Sequence, residues 1–283
     1  MKQLQKLILT IKENNPHVRI GICGINLSNK KKLEINEDMQ FGTASLIKVP
    51  IAVTLFRLHE DNIVDIDRRF SLGQFTVLDK GQRDSGILKF LPKDTSVSLR
   101  FLCSLMLSLS DNAATNIVLK FVTRNQINAH MRKLGLMKTR ITIKTINPKK
   151  LEKDKNLLGV TTPEEMTRLF QMLAGGKIGG GNEIVGMMRM AQSHQGVFRG
   201  LSTAKNVKDQ FITINNIFSK GGIFPEFLLN VQTMCVEMND GAKIFISIFT
   251  QGIGHERLRS VALDHPSNSF IAQAVHIIIK ELL

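Results

Sequence analysis

The sequence predicts an α+β fold: a five-stranded antiparallel sheet built from both chain ends, flanked by terminal helices, with an all-helical lobe inserted between its halves. Two observations carry this. Segments with the Ile- and Val-rich patterning of strands fall near the ends of the chain, at 17–26 and 33–38 in front and at 211–219, 228–238 and 243–251 behind. Helical signals fill the interval, and each terminus is an amphipathic stretch. The implied division is 1–40 with 206–283 for the sheet lobe and 41–205 for the helical lobe, together one structural unit. A chain of 283 residues with 43% hydrophobic content can bury a substantial core.

Taken in order, Lys2 to about Asn14 spaces its apolar residues as an amphipathic helix. His17 to Asn26 and Leu33 to Asp38 are expected strands, and the polar stretch Ser28 to Lys32 turns between them as a hairpin. Within Phe41 to Leu58 the next helix begins around Ser45 and runs to about Asn62, with Pro50 early enough to be accommodated near the first turn. Residues 63–97 carry turn signals at Lys80-Gly81, Ser85-Gly86 and Pro92-Lys93. Leu99 to Leu109 is apolar almost throughout and reads as a buried helix, ending at Ser110-Asp111-Asn112, where Ala113 to about Val122 begins another. Gln126 to Leu134 is a short helix, and Asn147 to Gly159 a charged irregular loop. Thr161-Thr162-Pro163-Glu164-Glu165 places threonine before proline with acids in the first turn, which starts a helix running to Leu173. Gly175 to Gly181 reads as a turn rather than a phosphate cradle, because no strand precedes it and no Gly-Lys-Ser/Thr follows. Ser267 to Leu283 is the closing helix.

The formal net charge of +14 would suit nucleic acid, an anionic membrane surface or an acidic polymer. However, the Lys-rich runs at 29–32 and 149–155 read as solvated turns and loops, and the chain has no Tyr and no Trp to stack on bases. No specific nucleic-acid partner is therefore expected. Cys23, Cys103 and Cys235 are widely separated, each in an apolar run, and suit core positions. The seven histidines show no metal-ligand spacing, so neither a metal nor another cofactor is expected. No Gly-x-Ser-x-Gly elbow anchors a Ser-His-Asp hydrolase. No apolar run is long enough to cross a bilayer. The first fifteen residues lack a small-residue cleavage site, so the expected location is periplasmic or secreted if a signal has been trimmed and cytoplasmic otherwise.

The chemistry starts at Phe41 to Leu58, FGTASLIKVPIAVTLFRL, where Ser45 and Lys48 stand three residues apart on one helical face. A serine hydroxyl is a poor nucleophile until a neighbouring base takes its proton. A lysine serves when burial or a cationic neighbour lowers its pKa. Ser110-Asp111-Asn112, taken alone, fits a helix cap as well as a catalytic element, and Lys220-Gly221-Gly222 fits a turn ending a late strand. Together, in this order and spacing, the three stretches are more specific than any one of them.

This combination resembles the three signatures of penicillin-recognising serine enzymes, specifically class A serine β-lactamases. The resemblance extends to Ser85-Gly86-Ile87-Leu88, to LCSLMLSLSDNAATNIVL at 102–119, to the TTPEEM helix start and to the terminal helix, and so covers nearly the whole chain. It implies that Ser45 is the acylated nucleophile and Lys48 its base. Ser110, helped by the charge of Lys220, would pass a proton to the leaving nitrogen. Asn112 would bind the substrate's amide side chain, Gly221 and Gly222 would line the substrate, and the backbone N–H groups of Ser45 and Ile223 would form the oxyanion hole.

Two departures accompany it. The family places a glutamate before proline in the loop preceding the TTP helix, to activate the deacylating water; here the pair is Asn147-Pro148, and an amide accepts no proton at neutral pH. Glu152, farther along the loop, is the candidate substitute. Relatives also carry Ser or Thr at the position of Gly221 and an arginine nearby, whereas no arginine occurs between Gly222 and Val236. A penicillin carboxylate would then rest mainly on Lys220. The expected function is a β-lactamase-like acyl-enzyme former with slow deacylation, acting as a monomer on a β-lactam or D-alanyl peptide-like small molecule. The alternatives are a penicillin-binding or D-alanyl peptidase-like enzyme, and a non-catalytic cationic binding module.

Overall fold

A two-stranded hairpin is marginal by itself in water, so the front hairpin has to find partners elsewhere in the chain. In the computed structural model, which describes residues 1–75, 85–146, 158–191, 214–254, 265 and 267–283, it finds them at the far end of the sequence. Helix α1 (Lys2–Asn14) leads into β1 (Arg19–Asn26) and β2 (Lys32–Ile35), followed by the two-residue strand β3 (Phe41–Gly42). The helical lobe comprises α2 (Lys48–Glu60), α3 (Leu99–Ser108), α4 (Asn112–Val118), α5 (Arg124–Lys133), α6 (Pro163–Ala174) and α7 (Gly181–Arg189). The short strands β4 (Arg69–Ser71), β5 (Ser96–Ser98), β6 (Arg140–Ile141) and β7 (Gly159–Thr161) run between these helices. The chain returns to the sheet with β8 (Ile214–Phe224), β9 (Leu229–Met238) and β10 (Lys243–Gln251), and ends in α8 (Ser267–Leu282).

The sheet is five-stranded and antiparallel, in the order β2-β1-β10-β9-β8, with β1 paired along its length to β10. Both faces are covered, so its strands are apolar on both sides. Ile244, Ile246 and Ile248 of β10 join Leu4 and Ile8 of α1 and Phe270, Ile271, Ile278 and Ile279 of α8 in one cluster. The alternate residues Phe245 and Phe249 join the helical lobe, with Leu46, Phe170 and Phe218, in the other. Ser247 also points that way, and it is satisfied within the core by Thr167 of α6 at 2.8 Å and Thr233 of β9 at 3.0 Å.

The helix starts follow local chemistry. Thr162 accepts from Glu165 N at 3.1 Å ahead of Pro163, and Glu164 and Glu165 fill the first turn. Thr123 and Gln126 form a capping box at the start of α5. The structure differs from the sequence expectation in several places. Phe41–Gly42 pair as a strand with β7 and Ala44–Ile47 form a 3-10 turn, so the helix expected around Ser45 begins at Lys48. The strand begun near 211 is described from Ile214 and continues through Phe224, so Lys220, Gly221 and Gly222 lie inside β8 rather than in a turn at its end. Helix α4 stops at Val118 instead of about Val122. Two small sheets, β3-β7-β6 and β4-β5, are too short to leave a periodic signal. The three cysteines are buried and free, and burial raises each thiol, that of Cys23 to about 11. Among the described residues no helix is long and apolar enough to cross a membrane.

Gly21 marks where β1 meets the helical lobe. A Cβ there would fall 2.8 Å from the Phe41 ring, 2.9 Å from Pro163 and 3.0 Å from the Asn36 carbonyl. At Gly186, on α7, a Cβ would have nothing within 4 Å. Gly21→Ala is expected to lower the unfolding free energy by about 1–3 kcal/mol. Gly186→Ala is expected to raise it by about 0.5–1 kcal/mol through helix propensity. Urea denaturation of the two variants checks the pair, and equal shifts would contradict this packing of β1.

Candidate active site

Three segments converge where the helical lobe meets β8, the edge strand of the sheet among the described residues. The first is the turn before α2. Residues Ala44–Ile47 form a 3-10 turn, and Ala44 is held at φ 43°, the left-handed region that a Cβ disfavours. Lys48 begins α2, wholly buried at 0% exposure. Its Nζ donates to the Ser110 carbonyl at 2.6 Å and to Asn112 Oδ1 at 2.7 Å, and lies 3.1 Å from Ser110 Oγ. The first two partners are pure acceptors, whereas the hydroxyl can donate or accept. The amine therefore fits this site with two protons or three, and its third position is a route for exchange with Ser110. No hydrogen bond joins Ser45 Oγ to a described residue; the Lys48 amine is engaged at Ser110 and Asn112.

The second segment is Ser110-Asp111-Asn112, between α3 and α4. Ser110 also takes a left-handed backbone, φ 57°. Backbone strain of this kind, worth about 1–3 kcal/mol at each residue, persists only where the surroundings over-determine it. Asp111 does this. One carboxylate oxygen accepts from Ala114 N at 2.9 Å, capping α4, and the other accepts from Ile87 N and Leu88 N, each at 2.8 Å. The segment 85–88 is thereby fastened to the loop, and Ser85 Oγ donates to the Ser110 carbonyl at 2.5 Å. Gly86, at φ 100°, permits this approach, since a Cβ there would overlap the Asp111 carboxylate.

The third segment is β8. Lys220, 1% exposed, places Nζ 3.1 Å from Ser110 Oγ and 3.0 Å from the Gly221 carbonyl. Burial lowers its pKa from 10.5 to about 8, which brings it near the range useful for proton transfer. Gly222 is the contact between strand and turn: a Cβ there would lie 2.4 Å from Ser45 N, 2.8 Å from Ala44 Cβ and 2.8 Å from the Thr43 carbonyl. Any side chain at 222 would push the strand off the serine. At Gly221 the obstruction is different, because the Gln232 amide of β9 occupies the room a Cβ would take, with Oε1 2.0 Å away.

The structure thus brings together Lys48, Ser110, Asn112 and Lys220 by hydrogen bonds, and Ser45 with Gly222 by backbone approach. Ile223 follows on β8, opposite Asn230. Asn147 and Glu152 lie outside the described residues. Sequence reasoning singled out the first and third members of Ser-Asp-Asn and passed over Asp111. The signal was present, since Asp at a helix start three residues before Ala114 is a cap. Gln232 gave no signal, being one of four polar residues in β9 and part of no motif. Among the described residues, no cluster of three His, Cys, Asp or Glu side chains is placed to hold a metal ion.

A family model described as the beta-lactamase enzyme family matches residues 1–282. Beta-lactamase VEB-1 of Pseudomonas aeruginosa is 27% identical over 118 residues, a match spanning 40% of this chain and 39% of that protein. The chromosome-encoded beta-lactamase of Vibrio parahaemolyticus shares the fold with a TM-score of 0.79 at 16% identity, covering 98% of each chain. A variant of PBP-A, in an acyl-enzyme complex with penicillin G, gives a TM-score of 0.71 at 20% identity, covering 100% of this chain and 98% of that one. At such identities the structural likeness is one of fold.

The lowered pKa of Lys220 has a consequence for stability. Below about 8 the amine is protonated both folded and unfolded, and the burial penalty is carried in full. Between about 8 and 10.5 the unfolded chain still binds the proton that the folded chain has lost, so stability rises with pH across that window. Lys220→Met should flatten this rise. Urea denaturation of both proteins at about pH 7 and about pH 10 reads the difference, and parallel slopes would show that Lys220 keeps its ordinary pKa.

Proposed function

Because this chain belongs to the beta-lactamase enzyme family, we propose that it is a serine hydrolase that forms an acyl-enzyme on Ser45 with β-lactams or related amides and releases the acyl group slowly. The observation that carries this reading is the Ser110 hydroxyl, held 3.1 Å from each of two buried lysine amines beside the Ser45 turn. Burying two lysines is costly. A purely structural site would be served as well by apolar side chains, which weighs against the non-catalytic alternative.

In the proposed reaction the Ser45 hydroxyl attacks the substrate carbonyl while its proton passes to Lys48. The backbone N–H groups of Ser45 and Ile223 receive the negative charge that develops on the carbonyl oxygen. Donors aimed in this way are worth about 2.7–4 kcal/mol each in comparable sites. Ser110, flanked by both amines, delivers a proton to the departing nitrogen, and Lys48 restores the proton to Ser110 through the contact between them. Asn112 orients the amide side chain of the substrate, its Oδ1 being fixed by Lys48. The PBP-A variant supports the same type of intermediate on a related fold, having been captured as an acyl-enzyme with penicillin G.

Release is the step proposed to be impaired. Asn147 stands where relatives use a glutamate as base, and a carboxamide does not take a proton from water. An acyl-trapping enzyme of the penicillin-binding or D-alanyl peptidase-like kind is the second reading, favoured by the same residue. Incubation with a penicillin followed by intact-protein mass spectrometry is expected to show one adduct that persists, and Ser45→Ala is expected to abolish it. An adduct retained in Ser45→Ala would sink the assignment. Asn147→Glu should speed loss of the adduct by about 10²-fold or more, and an unchanged rate would count against that residue as the position of the base.

A further inference from the structure

Gln232 lies opposite Gly221 across the β8–β9 ladder, and its amide fills the room beside that glycine, 2.0 Å (Oε1) and 2.4 Å (Nε2) from where a Cβ would be. The residue is 7% exposed, and its orientation is imposed from behind. Gln232 Nε2 donates to Asn230 Oδ1 at 2.9 Å, and Asn230 Nδ2 donates to Ser267 Oγ and Asn268 Oδ1 of α8, both at 2.9 Å. With the nitrogen of Asn230 committed to α8, its oxygen faces Gln232. Gln232 must then turn its nitrogen toward Asn230 and its oxygen away. That oxygen, Oε1, is buried and has no hydrogen-bond partner among the described residues. Buried polar atoms without partners are few in folded proteins, and this one lies beside the strand segment that carries Lys220 and Gly222.

We infer that Gln232 is a specificity-determining residue: it makes the subsite beside Lys220 select a neutral group bearing an N–H donor in place of a carboxylate. This rests on the acyl-transfer reading above and names the substrate class for it, acyl donors whose leaving group carries a primary carboxamide next to the scissile bond. Among the described residues strand β8 is at the edge of the sheet, so a ligand lying along it is flanked by groups from both faces of the strand. Lys220 stands on one face and the Gln232 amide on the other. A carboxylate at this point gains Lys220 but sets its oxygens against Oε1, an acceptor with no proton to share. Because Oε1 is buried, the ligand meets it by shifting the Gln232 amide toward the strand edge; a carboxamide then gives its N–H to Oε1 and keeps its carbonyl for Lys220. Gly221 follows from the same arrangement, since any side chain at 221 would displace the Gln232 amide.

The test uses two N-acylglycyl esters of one 2-hydroxy acid, identical except that the acid group is free in one and a primary carboxamide in the other. Each acylates Ser45 by forming the Oγ–carbonyl bond and breaking the ester C–O bond, the departing alkoxide taking up the proton that Ser45 loses. Second-order rates of adduct formation are read by mass spectrometry. In the intact protein the carboxamide ester is expected to react about tenfold faster. Gln232→Met, of similar volume but without the acceptor, should bring the ratio to about one. Gln232→Glu keeps the shape, adds negative charge and should widen the preference. The ratio separates specificity from damage to the fold, which slows both esters alike. A faster carboxylate ester in the intact protein, or a ratio that neither variant moves, overturns the inference while leaving Ser45 as the nucleophile. Labelling by neither ester removes the acyl-transfer reading, and this inference with it.

Discussion

The Ser110 hydroxyl lies between two lysine amines, 3.1 Å from each, and the amines come from different layers of the molecule. Lys48 is delivered by helix α2 and Lys220 by strand β8, and both are buried. Taking an ammonium group out of water is among the most expensive acts in folding, and it is tolerated only with hydrogen bonds in place or with the proton given up. Both responses are visible. Lys48 is surrounded by oxygen acceptors, and burial lowers the Lys220 pKa to about 8, which eases loss of its proton. A hydroxyl between such groups can receive a proton from one side and lose it on the other, which is the property the proposed chemistry needs.

Holding that hydroxyl in place explains much of the surrounding architecture. Ser110 occupies a strained backbone conformation, and the Asp111 carboxylate secures it by collecting three backbone N–H groups, two from the 87–88 segment and one from α4. The sheet must also reach the serine turn closely enough that no side chain fits at 222. The two apolar clusters, one on each face of the sheet, supply the rigidity for this approach, because a close-packed interior resists small displacements. The terminal helices, remote from Ser45 in sequence, contribute through α8, whose Ser267 and Asn268 orient Asn230.

In the reading proposed here, the groups that would acylate Ser45 are kept, and the changes fall on what happens around that step. Asn147 alters release of the acyl group, and Gly221 with Gln232 alters the polarity of the subsite beside Lys220. The second change is coupled in space: the glycine leaves the volume, and the glutamine from the neighbouring strand fills it.

By itself the sequence determined the sheet assembled from both chain ends, the order of the elements and the starts of α3 and α6, because strand patterning and the Thr162-Pro163 signal act within a few residues of themselves. It also placed Ser45, Lys48, Ser110, Asn112 and Lys220 as candidates, through three short motifs in order. Only the tertiary structure decided that the Lys48 amine engages Ser110 and Asn112, that Lys220-Gly221-Gly222 lies within a strand, that Asp111 clamps the 85–88 segment, and that Gln232 fills the place beside Gly221. The three-residue spacing puts Ser45 and Lys48 on one helical face, but where a long amine points is settled by acceptors 62 and 64 residues away. Two glycines in a row look like a turn locally, and they become packing glycines only when strand β9 and the serine turn are brought against them. Contacts of that range are fixed by how layers pack, and no local pattern encodes them.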